Sequence, residues 1–241
     1  MQLSNNIILI TGGASGIGKG LTERFLQKGN TVIVCGRRVE VLEALQQEFP
    51  EVITFNCDLS LETERVRLYE WIATNHPDTN VLINNAGIQQ WTQPGMEDFW
   101  QKAKVEMATN MEAPLHLIHL FMDHRALNVI INTTSGLSFC PLTKVPVYSA
   151  TKAFFHSLTL SVRHLMKERG VEVIELIPPA INTDLGGKGL HDEAPPVSAL
   201  MDAVFQQLEL GKNELTFGFS ERMAKATPDD LKATFEMMNN R

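Results

Sequence analysis

The sequence is short of the features that mark disulfide-rich, metal-binding and membrane proteins. Its three cysteines, Cys35, Cys57 and Cys140, are an odd number without the spacing of metal ligands, which argues against a disulfide framework and a zinc site. No run reaches the roughly 18 apolar residues that a membrane span needs, and no basic segment with a long apolar run after it stands at the N-terminus. We therefore expect free thiols, no metal, no membrane partner and a cytoplasmic location.

Basic clusters are also missing. The net charge is -7, and the longest basic cluster is the pair Arg37-Arg38, so the chain has little attraction for nucleic acid. Small molecules are the expected partners. With 241 residues, of which 44% are hydrophobic, the chain can bury one sizeable core, and we predict a single domain over residues 1–241.

What the sequence does contain is an alternation of short β-branched runs with longer amphipathic segments, typical of repeated βαβ units. Strands are predicted at 7–10, 31–35, 52–55, 81–84, 128–132, 171–177 and 215–217. Helices are predicted at 16–28, 39–49, 61–75, 97–122, 147–169 and 197–209, with a weakly specified C-terminal helix after them. Helices cover both faces of such apolar strands. The predicted fold class is α/β, a doubly wound, mostly parallel, seven-stranded sheet.

A glycine-rich turn follows the first predicted strand and opens the first helix. It reads Thr-Gly-Gly-Ala-Ser-Gly-Ile-Gly from residue 11 to residue 18, and glycines in this setting let the backbone approach a pyrophosphate at a helix N-terminus. The predicted cofactor contacts here are Gly12, Ser15, Gly16, Ile17 and Gly18. The spacing resembles the TGxxxGxG motif of the short-chain dehydrogenase/reductase family, which implies a single-domain Rossmann fold that binds NAD(H) or NADP(H).

The end of the second predicted strand indicates which nicotinamide cofactor binds. It carries no carboxylate where an acid would hold the ribose 2′-hydroxyl, and Arg37 and Arg38 follow instead. An arginine there favours a 2′-phosphate, and the family resemblance assigns that contact to Arg37. We therefore predict that NADP(H) is favoured over NAD(H).

The resemblance assigns the adenosine half of the cofactor to two further strand ends. Asp58, with Leu59 after it, matches the family's adenine-binding aspartate, although an aspartate here also fits a helix cap. Asn85, Ala86 and Gly87 belong to a match to the NNAG motif, whose small residues let the chain pass close to the ribose.

A segment after the sixth predicted strand resembles the family's PGxxxT segment, which lies against the nicotinamide carboxamide. It implies cofactor contacts at Pro178, Ile181 and Thr183. Pro179 stands where the family has glycine, which fixes φ and removes an N–H.

Tyr148 and Lys152 are four residues apart, so on a helix both project from one face. A free tyrosine has a pKa near about 10, and the charge of Lys152 is expected to stabilise its phenolate. Tyr148 is therefore the predicted general acid and base, with Lys152 beside it at the cofactor. The pair alone recurs by chance on exposed helices, but its order after the glycine and NNAG motifs favours a catalytic role.

Two polar residues complete the predicted catalytic set. Ser135 lies thirteen residues before Tyr148, the family's usual separation, and its hydroxyl is expected to stabilise charge on the substrate oxygen. Ser138 is the weaker alternative for this role. Asn110 corresponds to the family's asparagine that holds a water near the lysine.

The predicted function is hydride transfer between NADP(H) and a carbonyl or alcohol carbon of a small substrate. Three glycines and two prolines between Gly186 and Pro196 predict a mobile loop, part of a substrate loop around residues 184–200. An apolar pocket is expected from Trp91, Phe139, Leu142, Val145 and Leu185.

Three points stay open at this stage. A catalytically silent NADP(H)-sensing or scaffold protein of the same fold is the main alternative, and an isomerase or dehydratase would share the Tyr-Lys pair. The apolar helical stretches 115–121 and 154–160 predict a homodimer or homotetramer. Within the family, the sequence is most similar to a bacterial group associated with lipoteichoic acid D-alanylation operons, which says nothing of the substrate.

Overall fold

The strands form where the sequence has its apolar, β-branched runs. The computed structural model describes residues 1–240. Its strands are β1 Ile7–Thr11, β2 Thr31–Gly36, β3 Ile53–Asn56, β4 Val81–Asn84, β5 Val129–Thr133, β6 Glu172–Ile177 and β7 Glu214–Thr216. They pair in the order β3-β2-β1-β4-β5-β6-β7, and each pairing is parallel. The predicted α/β, doubly wound Rossmann sheet is confirmed.

The helices agree with the apolar periodicity except in two places. They are α1 Gly16–Gln27, α2 Val39–Glu48, α3 Glu62–Asn75, α4 Phe99–Met107, α5 Ala113–Phe121, α6 Pro146–Met166, α7 Val197–Glu209, α8 Phe219–Ala224 and α9 Pro228–Asn239. The C-terminal region holds two helices where one was predicted. A capping box between Thr227 and Asp230 starts the second of them.

The prediction of one helix from residue 97 to residue 122 is wrong. A π-helical turn, Ala108–Glu112, separates α4 from α5. Pro114 stands in the first turn of α5 and has no N–H to donate, so the α-helical hydrogen-bond pattern cannot run through this point unchanged. The wider turn carries Asn110, and such turns are frequent at functional sites.

The core lies on both faces of the sheet because successive side chains of a strand point to opposite sides. On β1, Ile8 and Ile10 pack into one cluster with α1 and α7, while Leu9 packs into the other with α3, α5 and α6. All three side chains are fully buried, and each such burial contributes about 1.5–3 kcal/mol. A layer of helices therefore packs on each face of the sheet, and the buried side chains between helices and sheet stabilise it.

The sheet order leaves a crevice beside the carboxyl end of β1. The chain crosses in one direction from β1 to β2 and in the other from β3 to β4, and ligands bind doubly wound sheets at such a switch point. Thr11 joins the ends of β1 and β4. Its hydroxyl accepts hydrogen bonds from the backbone N–H groups of Asn85 and Ala86 at 2.9 and 3.0 Å. The glycine turn and the NNAG segment are thus fixed side by side.

Other sequence predictions concern the chain as a whole. The three cysteines are free, as predicted, and they are buried. Across residues 1–240, no helix is long and apolar enough to cross a membrane. The same part of the chain holds no group of three His, Cys, Asp or Glu side chains that could bind a metal ion.

Candidate active site

A cleft of about 1860 Å³ opens along the carboxyl edge of the sheet. It is lined by each residue that the sequence assigned to the cofactor: Gly12, Ser15, Gly16, Ile17, Gly18, Arg37, Arg38, Asp58, Leu59, Asn85, Ala86, Gly87, Tyr148, Lys152, Pro178, Ile181 and Thr183. Ser135 lines it too, whereas Asn110 lies behind the wall. The motifs, separate in sequence, therefore meet in one cleft.

The glycine turn forms a narrow cradle at the start of α1. Gly12 and Gly16 have φ of +65° and +52°, a region that disfavours side chains. A Cβ on Gly18 would lie 2.2 Å from the carbonyl oxygen of Gly12, so only glycine fits. The first turn of α1 has no acidic residue, and its free N–H groups favour an anion. The residues present therefore fit the pyrophosphate of a dinucleotide.

Two exposed arginines stand at the far end of the cleft. Arg37 and Arg38 follow β2 and line the cleft. The guanidinium of Arg38 donates to the Ser15 hydroxyl at 3.2 Å, which joins the end of β2 to the glycine turn. No carboxylate follows β2 before Glu40, so positive charge dominates this end.

Asp58 takes part in a local turn as well as lining the cleft. Its Oδ1 accepts hydrogen bonds from the backbone N–H and the hydroxyl of Ser60, at 3.0 and 2.8 Å. The N-cap of α3 is Leu61, so Asp58 stabilises the preceding turn and is not itself the cap. Its contact with adenine stays a prediction.

Tyr148 and Lys152 lie one turn apart on α6, and both are buried in the cleft wall. The Nζ of Lys152 donates to the carbonyl oxygen of Thr133 at 2.8 Å and lies 5.6 Å from the centroid of the Tyr148 ring. A Cβ on Gly87 would come within 3.6 Å of this Nζ. That is an ordinary van der Waals distance, so Lys152 does not by itself require glycine at this position.

Ser135 and Ser138 differ in how their hydroxyls are used. Ser135 Oγ lies in the cleft wall and accepts the N–H of Leu137 at 3.1 Å, which leaves its proton for another acceptor. Ser138 Oγ instead donates to the backbone carbonyl of Lys152 at 2.9 Å. Only Ser135 presents a donor to the cleft, which favours the predicted assignment over its alternative.

Asn110 holds the chain that follows the NNAG segment. Its side chain accepts the N–H of Ile88 at 2.9 Å and donates to the carbonyl of the same residue at 2.8 Å. It also donates to the hydroxyl of Thr151, next to Lys152. Asn110 therefore connects the cleft wall to α6 from behind.

Burial sets the protonation of the catalytic pair. It raises the pKa of the Tyr148 phenol well above its ordinary value; a hydrogen bond with Ser135 lowers that pKa, and the charge of Glu106 raises it. Burial lowers the pKa of Lys152 to about 8, with Glu106 acting in the opposite direction. In the protein without cofactor, desolvation raises the pKa of Tyr148 more than the surrounding groups lower it. Tyr148 here holds its proton.

The far wall of the cleft is mostly apolar. Trp91, Leu142 and Leu185 line it as predicted. The other two predicted pocket residues do not line it: Val145 is fully buried, and the ring of Phe139 packs against His156 at 4.7 Å.

Two apolar residues of the last two helices also line the cleft and were not predicted. Phe219 starts α8, and Met238 stands near the end of α9. The Met238 sulfur lies 3.9 Å from the Cys140 sulfur, and Asn239 accepts the N–H of Thr143 at 2.7 Å. The last helix is thereby attached to the loop that precedes Tyr148. No sequence motif marks these residues, because they line the cleft only through the path by which α8 and α9 pack back against it.

Fold and cleft together place the chain among the oxidoreductases built on a doubly wound dinucleotide-binding sheet. The family model of the short chain dehydrogenases matches residues 6–194, and the chain belongs to this family. Over 99% of its length it is 39% identical to a relative named "Uncharacterized oxidoreductase DltE" from Bacillus subtilis (strain 168), 98% of which is covered. The resemblance stated from the motifs is confirmed.

Solved structures agree on the fold and differ in the bound cofactor. A short chain dehydrogenase from Burkholderia cenocepacia J2315 in complex with NADP superposes with a TM-score of 0.85 at 26% identity, and 99% of each chain is covered. A short chain dehydrogenase/reductase from Burkholderia phymatum in complex with NAD has a TM-score of 0.78 at 17% identity, with 100% and 97% covered.

Proposed function

We propose that the protein transfers hydride between NADP(H) and a carbonyl or alcohol carbon of a small substrate. The observation that carries the proposal is the meeting of Tyr148, Lys152 and Ser135 in the wall of one cleft with the glycine cradle. A bound nicotinamide supplies or accepts the hydride there.

The protein's own residues handle the proton and the developing charge. In carbonyl reduction, Tyr148 gives its proton to the substrate oxygen. Burial raises the pKa of this phenol, which keeps the proton on it until transfer but makes it a weaker acid, so the transfer needs positive charge beside it. Ser135 donates a hydrogen bond to the same oxygen. Lys152 keeps positive charge beside Tyr148, which stabilises the phenolate left behind.

The preference for NADP(H) follows from the charges after β2. A 2′-phosphate would meet Arg37 and Arg38, and Arg38 is already oriented by Ser15. Arginine binds phosphate through paired, charge-assisted hydrogen bonds. NAD(H) carries only a hydroxyl at this position and gains nothing from the two charges.

Replacing both arginines, Arg37→Ala with Arg38→Ala, is expected to raise the KM for NADPH by about tenfold or more, since a hydrogen bond to a charged group is worth about 1.5–3 kcal/mol. The KM for NADH should rise much less, because with that cofactor only the hydrogen bond from Arg38 to Ser15 is lost and no contact to a 2′-phosphate. Steady-state kinetics with each cofactor check this. Arg125→Ala and Arg169→Ala, which remove the same charge outside the cleft lining, serve as the control; equal losses with NADPH and NADH would contradict the assignment.

The substrate we propose is a neutral or partly apolar carbonyl compound. Trp91, Leu142 and Leu185 surround the open end of the cleft with Phe219 and Met238. Residues 184–200 act as the substrate loop. Gly186 in this loop packs so closely on Gln89 and Trp91 that a Cβ there would lie 3.0 and 3.2 Å from their side chains. Closing contacts of this kind exclude water from the reacting atoms.

The direct test is NADPH oxidation, followed by absorbance, against a panel of ketones, aldehydes and diketones, repeated with NADH. We expect turnover of apolar carbonyl compounds with a preference for NADPH. Tight NADPH binding without turnover of any compound would instead support a sensing or scaffold protein.

We also propose that the protein forms a homodimer or homotetramer through α5 and α6. Leu117, Ile118, Phe121 and Phe155 belong to the protein's own core, so they do not argue for an interface. The support comes from Leu115 and Leu160, which are exposed to 45% and 43% on these two helices, and such apolar exposure is common at subunit contacts.

A further inference from the structure

A buried carboxylate that the proposed chemistry does not use lies behind the catalytic pair. Glu106, on α4, is fully buried. Its Oε1 accepts the N–H of Gln90 at 3.0 Å, and its Oε2 is buried without a hydrogen-bond partner within residues 1–240. Burying a carboxylate with one hydrogen bond costs free energy, so a stability role does not explain its presence.

Glu106 and Asn110 hold the same stretch of chain. They lie four residues apart, Asn110 binds both backbone groups of Ile88, and Glu106 binds the N–H of Gln90. The side chain of Gln90 also donates to the carbonyl of Lys102 on α4 at 3.1 Å. The segment that connects the NNAG motif to Trp91 in the cleft is therefore attached both to α4 and to the π-helical turn that follows it.

Glu106 also acts on the charges of α6, the helix packed against α4. Burial raises its pKa from 4.5 to about 7, while the hydrogen bond from Gln90 and the charge of Lys152 lower it. In return its charge raises the pKa of both Lys152 and Tyr148. Gln90, which faces it from the loop, is uncharged. The carboxylate becomes charged just below the pH at which Lys152 would lose its proton.

We propose that Glu106 is a positioning residue of this site, which fixes the segment at Gln90 and holds Lys152 in its protonated form near neutral pH. The inference rests on the proposed function, and it adds an acid to the set of polar residues that the family resemblance implies. Glu106 acts through Lys152 and Tyr148 and does not line the cleft.

The test compares Glu106→Gln with the native protein in NADPH-dependent carbonyl reduction at two pH values. Glutamine keeps an oxygen for the N–H of Gln90 and removes the charge. Near pH 6 the native carboxyl is largely protonated, so kcat/KM of the two proteins should agree within about twofold. Near pH 8 the variant should be slower by about fivefold, because without the anion Lys152 loses its proton at lower pH.

The controls separate charge from structure. Glu112→Gln removes the same charge at an exposed position six residues further on and should leave the pH profile unchanged. If the buried amide of Glu106→Gln folds poorly, Glu106→Met replaces it. Methionine also removes the acceptor for the N–H of Gln90, so a loss that is the same at both pH values measures the loop contact and the further loss at the higher pH measures the charge. A deficit of equal size at both pH values would mean that Glu106 only supports the loop, and would overturn the proposal.

A second measurement does not depend on turnover. Because the pKa of Glu106 is raised on folding, its protonated form is favoured in the native state, so native stability falls relative to Glu106→Gln between about pH 4.5 and pH 7. The melting temperature of the variant minus that of the native protein should therefore rise by roughly 5 °C from pH 5 to pH 7.5. A constant difference would contradict a titrating Glu106, whereas a rise without turnover of any substrate would contradict only the proposed function.

Discussion

Tyr148→Phe is expected to lower kcat for carbonyl reduction by about 10³-fold or more, while NADPH affinity stays close to that of the native protein. The change removes only the hydroxyl and leaves the buried ring in place. Lys152 keeps its hydrogen bond to the carbonyl of Thr133 at 2.8 Å, so the cofactor side of the site is undisturbed. Steady-state rates and a fluorescence titration with NADPH measure the two quantities.

The chain offers a matched control in its other tyrosine. Tyr69, on α3, packs its ring against Phe121 at 5.2 Å and lies outside the cleft lining. Tyr69→Phe removes the same hydroxyl and should leave kcat and NADPH affinity unchanged. Normal turnover by Tyr148→Phe would show that another group donates the proton, and the assigned chemistry would be wrong.

The positions of the motifs were predictable because parallel strands end at one edge of the sheet. Each motif follows a strand, and a strand is recognisable from its apolar run alone. Thr11 and Asn85 show the consequence: 74 residues apart, they are joined by hydrogen bonds of 2.9 and 3.0 Å at adjacent strand ends. Once the order of strands is given, such contacts follow from the sequence.

It was less predictable which polar side chains of the helices are buried. In an amphipathic helix, a glutamate normally indicates the solvated face, and Glu106 gives no other signal. It is buried because residues 88–90 cross over it, and that segment has no periodicity from which its path could be predicted. Phe139 is a similar case: its ring turned toward His156 and away from the cleft, a choice that depends on packing between α6 and the turn before it.

The protonation of Tyr148 could not be predicted from spacing either. The four-residue separation places Lys152 on the same face, but it does not reveal how much water reaches the phenol. In the folded protein, desolvation raises the pKa of Tyr148 more than the surrounding groups lower it. The proposed carbonyl reduction, in which Tyr148 donates a proton, starts from this protonated form.

Ser135→Ala is expected to lower kcat for carbonyl reduction by about 10²–10³-fold, as when other donors to a developing oxyanion are removed. Its hydroxyl is the one in this turn whose proton is left for the cleft. The matched control is Ser138→Ala, which breaks the hydrogen bond to the Lys152 carbonyl. Ser138→Ala should lower the free energy of unfolding by about 1 kcal/mol with little effect on kcat. A large loss of kcat in Ser138→Ala and none in Ser135→Ala would mean that Ser138, and not Ser135, contacts the substrate oxygen.

The Ser135→Ala variant is also expected to affect alcohol oxidation and carbonyl reduction differently. Ser135 lowers the pKa of Tyr148, so its removal raises that pKa further. Alcohol oxidation needs the phenolate, which then forms only at higher pH, whereas carbonyl reduction needs the phenol and keeps it. In Ser135→Ala, the pH at which alcohol oxidation reaches half its maximum should therefore move upward, and at neutral pH oxidation should lose more than reduction does. An oxidation profile that does not move would mean that Ser135 contacts the substrate without tuning Tyr148.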